Sequence, residues 1–252
     1  MRKCVKIGTG VIAAAIVIAV GSIVAFTTKN PSIGVFLCSP CYGFKQTASN
    51  FYVERETPEE KIISFKEALD NATVQVKDVF GGIKAPTPKI FVCATKYCAK
   101  RIGMNPNGEK ASVILAGRMM RVAPGGQSNT ILSHELTHAE LHHRVGISIM
   151  AQGLIPAWFD EGVAVAVSQD SRYLTLSKNG ALHCLLEPGQ NLPSDRDEWN
   201  KRAADGEHDL YARAACRVIR DLGVEDQPPR VLGDKLLRSL VNITSGQSLQ
   251  MP

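Results

Sequence analysis

The hydrophobic positions of this chain follow three successive regimes. Residues Ile7 to Phe26 are 20 consecutive uncharged, mostly apolar positions. At about 1.5 Å of rise per residue, such a run matches a hydrocarbon core of about 30 Å. A membrane-spanning signal-anchor, or a targeting peptide, is therefore predicted over 7–26. Thr27 to Asn50 is rich in Pro, Gly, Ser and Thr without a sustained period, which predicts a linker over 27–50.

From Phe51 onward, helical and β-rich patterns take over. Thr57-Pro58-Glu59-Glu60 reads as a capping box with Pro at the first helical position. Ile62, Ile63, Leu69, Ala72, Val76, Val79 and Phe80 then recur at helical spacing until Gly81-Gly82. Three short β-rich runs follow, at Ile90 to Cys93, Ser112 to Ala116 and Met119 to Ala123, the last two separated by Gly117-Arg118. Ser128 or Asn129 caps a helix through Leu141 that ends at Gly146, and Pro156 opens another over Ala157 to Ser168. Further helices are predicted from about His208 to Leu222, closed by Gly223, and from Leu232 to Val241. The pattern predicts an α+β domain over 51–245, a small mixed sheet with helices, followed by a polar tail at 246–252.

The chain has 252 residues, 44% hydrophobic and 21% charged, which fits one ordinary globular body with an appendage and excludes disordered and multi-span classes. The net charge of +5 includes Arg2, Lys3 and Lys6 at the very start. By the positive-inside tendency they keep residues 1–6 in the cytoplasm, with the body membrane-tethered on the extracytoplasmic side, periplasmic or cell-surface. The apolar run is longer than the core of a cleavable signal, and Ile23-Val24-Ala25 is a poor cleavage site, which favours a retained anchor. Cleavage would make the body secreted. Basic residues are not interleaved with aromatics in any run, so a nucleic-acid partner has no support. Of seven cysteines, Cys38, Cys41, Cys93, Cys98, Cys184 and Cys216 lie beyond the apolar run, an even number suited to an oxidising space. Cys38 with Cys41 and Cys93 with Cys98 can close locally, leaving Cys184 for Cys216; free, buried thiols are the alternative for any pair.

The chemistry-bearing segment is Ser133-His134-Glu135-Leu136-Thr137-His138. Helix positions four apart differ by only about 40° round the axis, so His134 and His138 offer two imidazoles to one point, where they can chelate zinc. Glu135, about 100° round from His134, flanks that point and can take a proton from a water there without being a ligand. A hydrolytic zinc site wants three protein ligands and an open position. Glu161, on the helix of Pro156-Ala157-Trp158-Phe159-Asp160-Glu161-Gly162, supplies the third, with Gly162 allowing the two helices to approach.

Three motifs, HELTH at 134–138, LIPAWFDEG at 154–162 and the looser LYARAACRVIRDLG at 210–223, make the chain resemble the gluzincin metallopeptidases of the zincin, or peptidase MA-like, fold. The likeness spans roughly residues 85–245 and is nearest to small membrane-anchored or secreted bacterial members. It implies a zinc-dependent peptidase acting on a peptide or protein substrate, with one zinc ion per chain, His134, His138 and Glu161 as ligands, and Glu135 as base. It further implies an oxyanion donor from a helix downstream of the Glu ligand, for which Tyr211 is the candidate and His208 the competitor. Through the same resemblance, Ala116 to Val122 is the edge on which an extended peptide would add as a strand.

Other residues are set aside. His142 drifts about 80° from His134, His143 reads as an exposed helix end, and Asp160 reads as a solvated carboxylate, with a contact to one of the ligands as its alternative. Trp158, Phe159 and the pair Met119-Met120 read as packing residues, and His183 beside Cys184 lacks metal partners. The G-x-M-E-N and x-N-E-x-x-S-D patterns of larger relatives are absent, so neither free-amine specificity nor the carboxylate partner of the first histidine is readable. The rival expectations are a catalytically silent, zinc-stabilised binding or regulatory module and a metal-free domain.

Overall fold

The computed structural model describes residues 21, 25–178 and 180–244. The apolar run 7–26 lies almost wholly outside them, as do the basic end 1–6 and the tail 246–252. Among the described residues, no helix is long and apolar enough to cross a membrane.

The body is mixed α+β. Its sheet comprises β1 (Phe44–Ala48), β2 (Phe51–Glu54), β3 (Lys89–Val92), β4 (Ala111–Ile114) and β5 (Met119–Val122), in the order β1-β2-β3-β5-β4. The inner pairs β2/β3 and β3/β5 are parallel, whereas both outer pairs are antiparallel. Parallel neighbours need a crossover, and α2 (Glu59–Phe80) supplies the one between β2 and β3. Both sheet faces are covered. Ile90, Val92, Met120 and Val122 pack towards α2, whereas the alternate residues Phe91 and Met119 join Val35, Phe44 and Ile102 in a separate cluster. Burial on both faces explains why Ile90 to Val92 of β3 read as an unbroken apolar run, whereas β5 interrupts its run with Arg121, buried and paired with Glu109.

Segment 27–50, expected as a linker, is built into this sheet. α1 (Pro31–Leu37) leads through the Cys38–Cys41 disulfide into β1, where Phe44 meets the Phe91 ring edge-on at 5.4 Å. Val35 and Phe44 are its main buried apolar side chains, too few to produce a period. The expected capping box also differs. Thr57 donates back to the Glu54 carbonyl at 2.7 Å, and Pro58 occupies the cap position with no side-chain cap. Ile63 faces outward on α2, and Phe65 takes the inward place.

β5, expected as the peptide-adding edge, lies inside the sheet, paired on both sides. The edge on that side is β4, joined to β5 by a turn over Leu115–Arg118 rather than by Gly117-Arg118 alone. A second disulfide, Cys93–Cys98, ties the end of β3 to α3 (Lys96–Arg101). Cys184 and Cys216 are free thiols that contact each other, not the third disulfide expected.

The second half is helical. α4 (Asn129–Val145) starts at Ser128, whose hydroxyl accepts from the Ile131 amide, and α5 (Ile147–Ala151) follows. α6 (Ala157–Ser168) is buried over its whole length and packs against both α4 and α8 (Leu210–Asp221). From Gly162 to Val167 the helix is apolar on all sides, as such a position requires. Gly162 serves the α8 contact rather than the expected α4 contact, because a Cβ there would lie 2.5 Å from the Ala214 carbonyl oxygen. A hairpin of β6 (Leu174–Leu176) and β7 (Leu182–Cys184), then α7 (Arg196–Ala204) and α9 (Pro229–Thr244), complete the order; neither the hairpin nor α7 was expected.

Candidate metal centre

Two helices meet at the site. α4 presents His134 and His138, and the first turns of α6 present Asp160 and Glu161. His134 Nε2 lies 3.1 Å from His138 Nε2 and 3.3 Å from Glu161 Oε2, and His138 Nε2 lies 3.7 Å from that same oxygen. Ligand atoms on a tetrahedral ion with bonds of about 2.0–2.1 Å stand roughly 3.3 Å apart. The three side chains are nearly buried, yet 10–14% of each is open to solvent. Two imidazole nitrogens and one carboxylate oxygen, converging with an accessible side, form a group able to hold a metal ion.

Asp160 is not a solvated carboxylate. Its side chain is 1% exposed, and Oδ1 accepts from His138 Nδ1 at 2.8 Å. A carboxylate can only accept here, so Nδ1 carries the proton, and Nε2 is left as the nitrogen available for a ligand. His142 Nε2 reaches the two Asp160 oxygens at 3.0 and 3.1 Å. His138, His142 and Asp160 thus form a second possible metal-holding group, but Asp160 is also paired with Arg196. A carboxylate saturated by two imidazoles and a guanidinium has little left for an ion. His143 is exposed, as expected.

Charge follows from this arrangement. Burial raises the Glu161 carboxyl, but His138 and His134 outweigh it and hold that group well below the usual carboxylate range. Burial acts on Asp160 likewise, and the His138 charge, with hydrogen bonds from His138 and His142, again prevails downward. Glu135 behaves differently. Burial pushes it above the ordinary value, partly offset by His134 and His138, and it has no hydrogen-bond partner among the described residues. An unpartnered carboxylate of raised basicity beside the cluster is chemically equipped to accept a proton.

Tyr211 lies on α8 with its ring centroid 6.5 Å from that of His134. It is stacked on Tyr173 at 5.5 Å and met edge-on by Trp199 at 5.2 Å, and burial pushes its phenol well up, so the hydroxyl stays protonated. His208 is exposed and borders a cavity of about 430 Å³ with Arg172 and Tyr173. The contact of Asp160 with His138 was the lesser of the two expectations for that carboxylate, and His142 partners Asp160 instead of the trio. Arg196 had no local signal at all, because its link to α6 is tertiary.

No family model, curated protein or solved structure matches the chain.

Proposed function

We propose that this chain is a zinc-dependent peptidase of the gluzincin type on a zincin-like fold, hydrolysing peptide bonds in a peptide or protein. The carrying observation is the convergence of His134, His138 and Glu161, whose ligand atoms all lie within 4.8 Å of one another, beside the buried Glu135, which has no hydrogen-bond partner among the described residues. A structural zinc site is ordinarily closed by four protein ligands and needs no base. Three donors with a buried carboxylate alongside favour turnover over a silent module.

His134, His138 and Glu161 would hold the ion. When bound, zinc supplies Lewis-acid chemistry, lowering the pKa of a water and offsetting charge on the carbonyl oxygen. Glu135 accepts the proton of the attacking water and returns it to the leaving amine. Asp160 keeps His138 in the ligating tautomer. The Tyr211 hydroxyl donates to the oxygen on which negative charge develops, a role that its protonated state suits. An extended substrate pairs with β4, the edge strand nearest α4, rather than with 116–122.

The two disulfides support an oxidising compartment for the body, and residues 7–26 would tether it there. The test is metal analysis of the full chain together with a peptide-library assay. About one zinc per chain, weakened in Glu161→Ala, with hydrolysis abolished by chelator and restored by zinc, is the expected result. Zinc without hydrolysis would leave the silent module, and no zinc would end the reading.

A further inference from the structure

The carboxylates of Asp160 and Glu161 are consecutive in sequence, almost buried, and shared by one cation. Arg196 Nη1 donates to Glu161 Oε1 and Arg196 Nη2 to Asp160 Oδ2. The other oxygen of each carboxylate faces a histidine, Oε2 of Glu161 towards His134 and His138, and Oδ1 of Asp160 towards His138 Nδ1. We infer that Arg196 is a positioning residue, a clamp that holds Glu161 by one oxygen so that only the other is offered to the metal, and that locks Asp160 against His138. The inference rests on the metal site proposed above.

The backbone gives Arg196 a fixed place to act from. Its position opens α7, where Asp195 caps the helix by accepting from the amides of Asp197 and Glu198 at 2.9 Å. The residues just before it are bonded to the start of the ligand helix, the Ala157 amide to the Ser194 carbonyl at 2.8 Å and the Trp158 amide to the Pro193 carbonyl at 3.1 Å. Those carbonyls satisfy amides that α6, begun by Pro156 without a side-chain cap, would otherwise leave open. The base of Arg196 is thereby tied to the same turn that carries Asp160 and Glu161.

Chemistry selects arginine for this place. A planar guanidinium can put two parallel N–H groups on two different carboxylates, which an ammonium on a flexible stem does not do. Its side chain remains 42% exposed, so its removal vacates the rim of the site rather than the core. Without the clamp, Glu161 can turn and offer both oxygens, changing the coordination number, and Asp160 loses its permanent cation.

The test compares the full chain with R196A, R196K and R202A. Arg202 also belongs to α7, where it pairs with Glu207 and the Asn191 carbonyl away from the cluster. Zinc affinity is read by competition with a chromogenic chelator, and ligand geometry by the visible spectrum of the cobalt-substituted protein. In R196A, zinc affinity is expected to fall about 10- to 100-fold, the usual effect of losing a partner of a ligand. Its cobalt bands should weaken as coordination rises, and R196K should recover only part of the affinity. R202A should match the parent. Affinity and cobalt spectrum in R196A within twofold of the parent would overturn the clamp while leaving the zinc site intact. Should R196A fail to fold, parent-like affinity in R196K would overturn it equally. A parent chain that binds no zinc overturns both the clamp and the metal site.

Discussion

Asp160 and His138 are joined by a 2.8 Å hydrogen bond from Nδ1 to Oδ1, so the carboxylate next to Glu161 in sequence orients one of the two histidines that face Glu161 in space. One helical turn of α6 therefore carries both a member of the group that could hold a metal ion and the carboxylate that aims another member. Removing the Asp160 charge should disturb the centre without touching a ligand.

The size of that effect depends on pH. In the metal-free chain, Asp160 lies well below its ordinary value of 3.8, and His138 lies well above its ordinary 6.5 because Asp160 and Glu161 outweigh the opposing effect of burial. The lowered carboxylate contributes stability above 3.8 that is lost as pH falls through its folded value. The raised imidazole contributes stability below 6.5 that is lost as pH rises through its folded value. Asp160→Asn should accordingly cost most between pH 3.8 and 6.5, by roughly 1–3 kcal/mol, with His138, His142 and Arg196 left short of an anion. Denaturant unfolding of parent and variant across this range checks it; a pH-independent difference would contradict the ionic pairing.

Phe44→Ala tests where the folded body begins. Phe44 is 2% exposed and packed edge-on against Phe91, so truncation should destabilise the chain by about 3–5 kcal/mol. Thermal unfolding would show this as a large fall in Tm, whereas a residue in a free linker would give none.

The same region shows what the sequence does and does not carry. The long elements were legible because their periods are long: α4 and α6 fall where the caps Ser128 and Pro156 and the stop at Gly146 put them. Strand β1 was not, because an edge strand with Phe44 facing inward and Lys45 and Gln46 beside it has no distinctive alternation. The trio His134, His138 and Glu161 was readable from helix geometry and motif, and the structure brings these side chains together. The contact of Asp160 was only half legible, and those of His142 and Arg196 were not, since what makes them its partners is the packing of α6 against α4 and α7. Local spacing carries no record of that packing.

On the proposed mechanism, Glu135 and Tyr211 would divide the chemistry in a way that kinetics can separate. Glu135→Gln should keep zinc and lower kcat by about 10²- to 10⁴-fold, the range expected for loss of a general base. Tyr211→Phe should lower kcat by about 10²-fold with KM little changed, because the hydroxyl acts on charge that appears only in the transition state. Steady-state rates on a peptide found by library screening, with metal content measured alongside, check both. An unchanged kcat in either variant removes that residue from the reaction.

Cys184 and Cys216 connect β7 to α8, the helix that carries Tyr211, and their thiols contact each other. Glutathione disulfide should oxidise the pair by exchange, with two thiols giving up their protons and two glutathione thiols leaving. A non-reducing peptide map should then show Cys184 joined to Cys216, and the cross-linked chain should melt at a higher temperature. Persistent alkylation of both thiols after such treatment would show that the pair does not close.

Gly162 couples packing to the placing of Glu161 most directly. It follows Glu161 directly, yet its bare Cα faces α8, where an added methyl would sit 2.5 Å from the Ala214 carbonyl oxygen and 2.8 Å from Val218 Cγ2. Helix propensity alone favours Ala over Gly by about 1 kcal/mol. A backbone carbonyl cannot yield as a flexible side chain can, so overpacking of about 1–3 kcal/mol should win and push α6 away from α8. Glu161 and Asp160 move with α6, so Gly162→Ala should lower Tm and weaken zinc binding together. Gly125, with nothing within 4 Å of an added methyl, is the control site at which Ala should do neither. A Gly162→Ala chain of unchanged or higher Tm would mean that α6 and α8 are not held at the separation seen here.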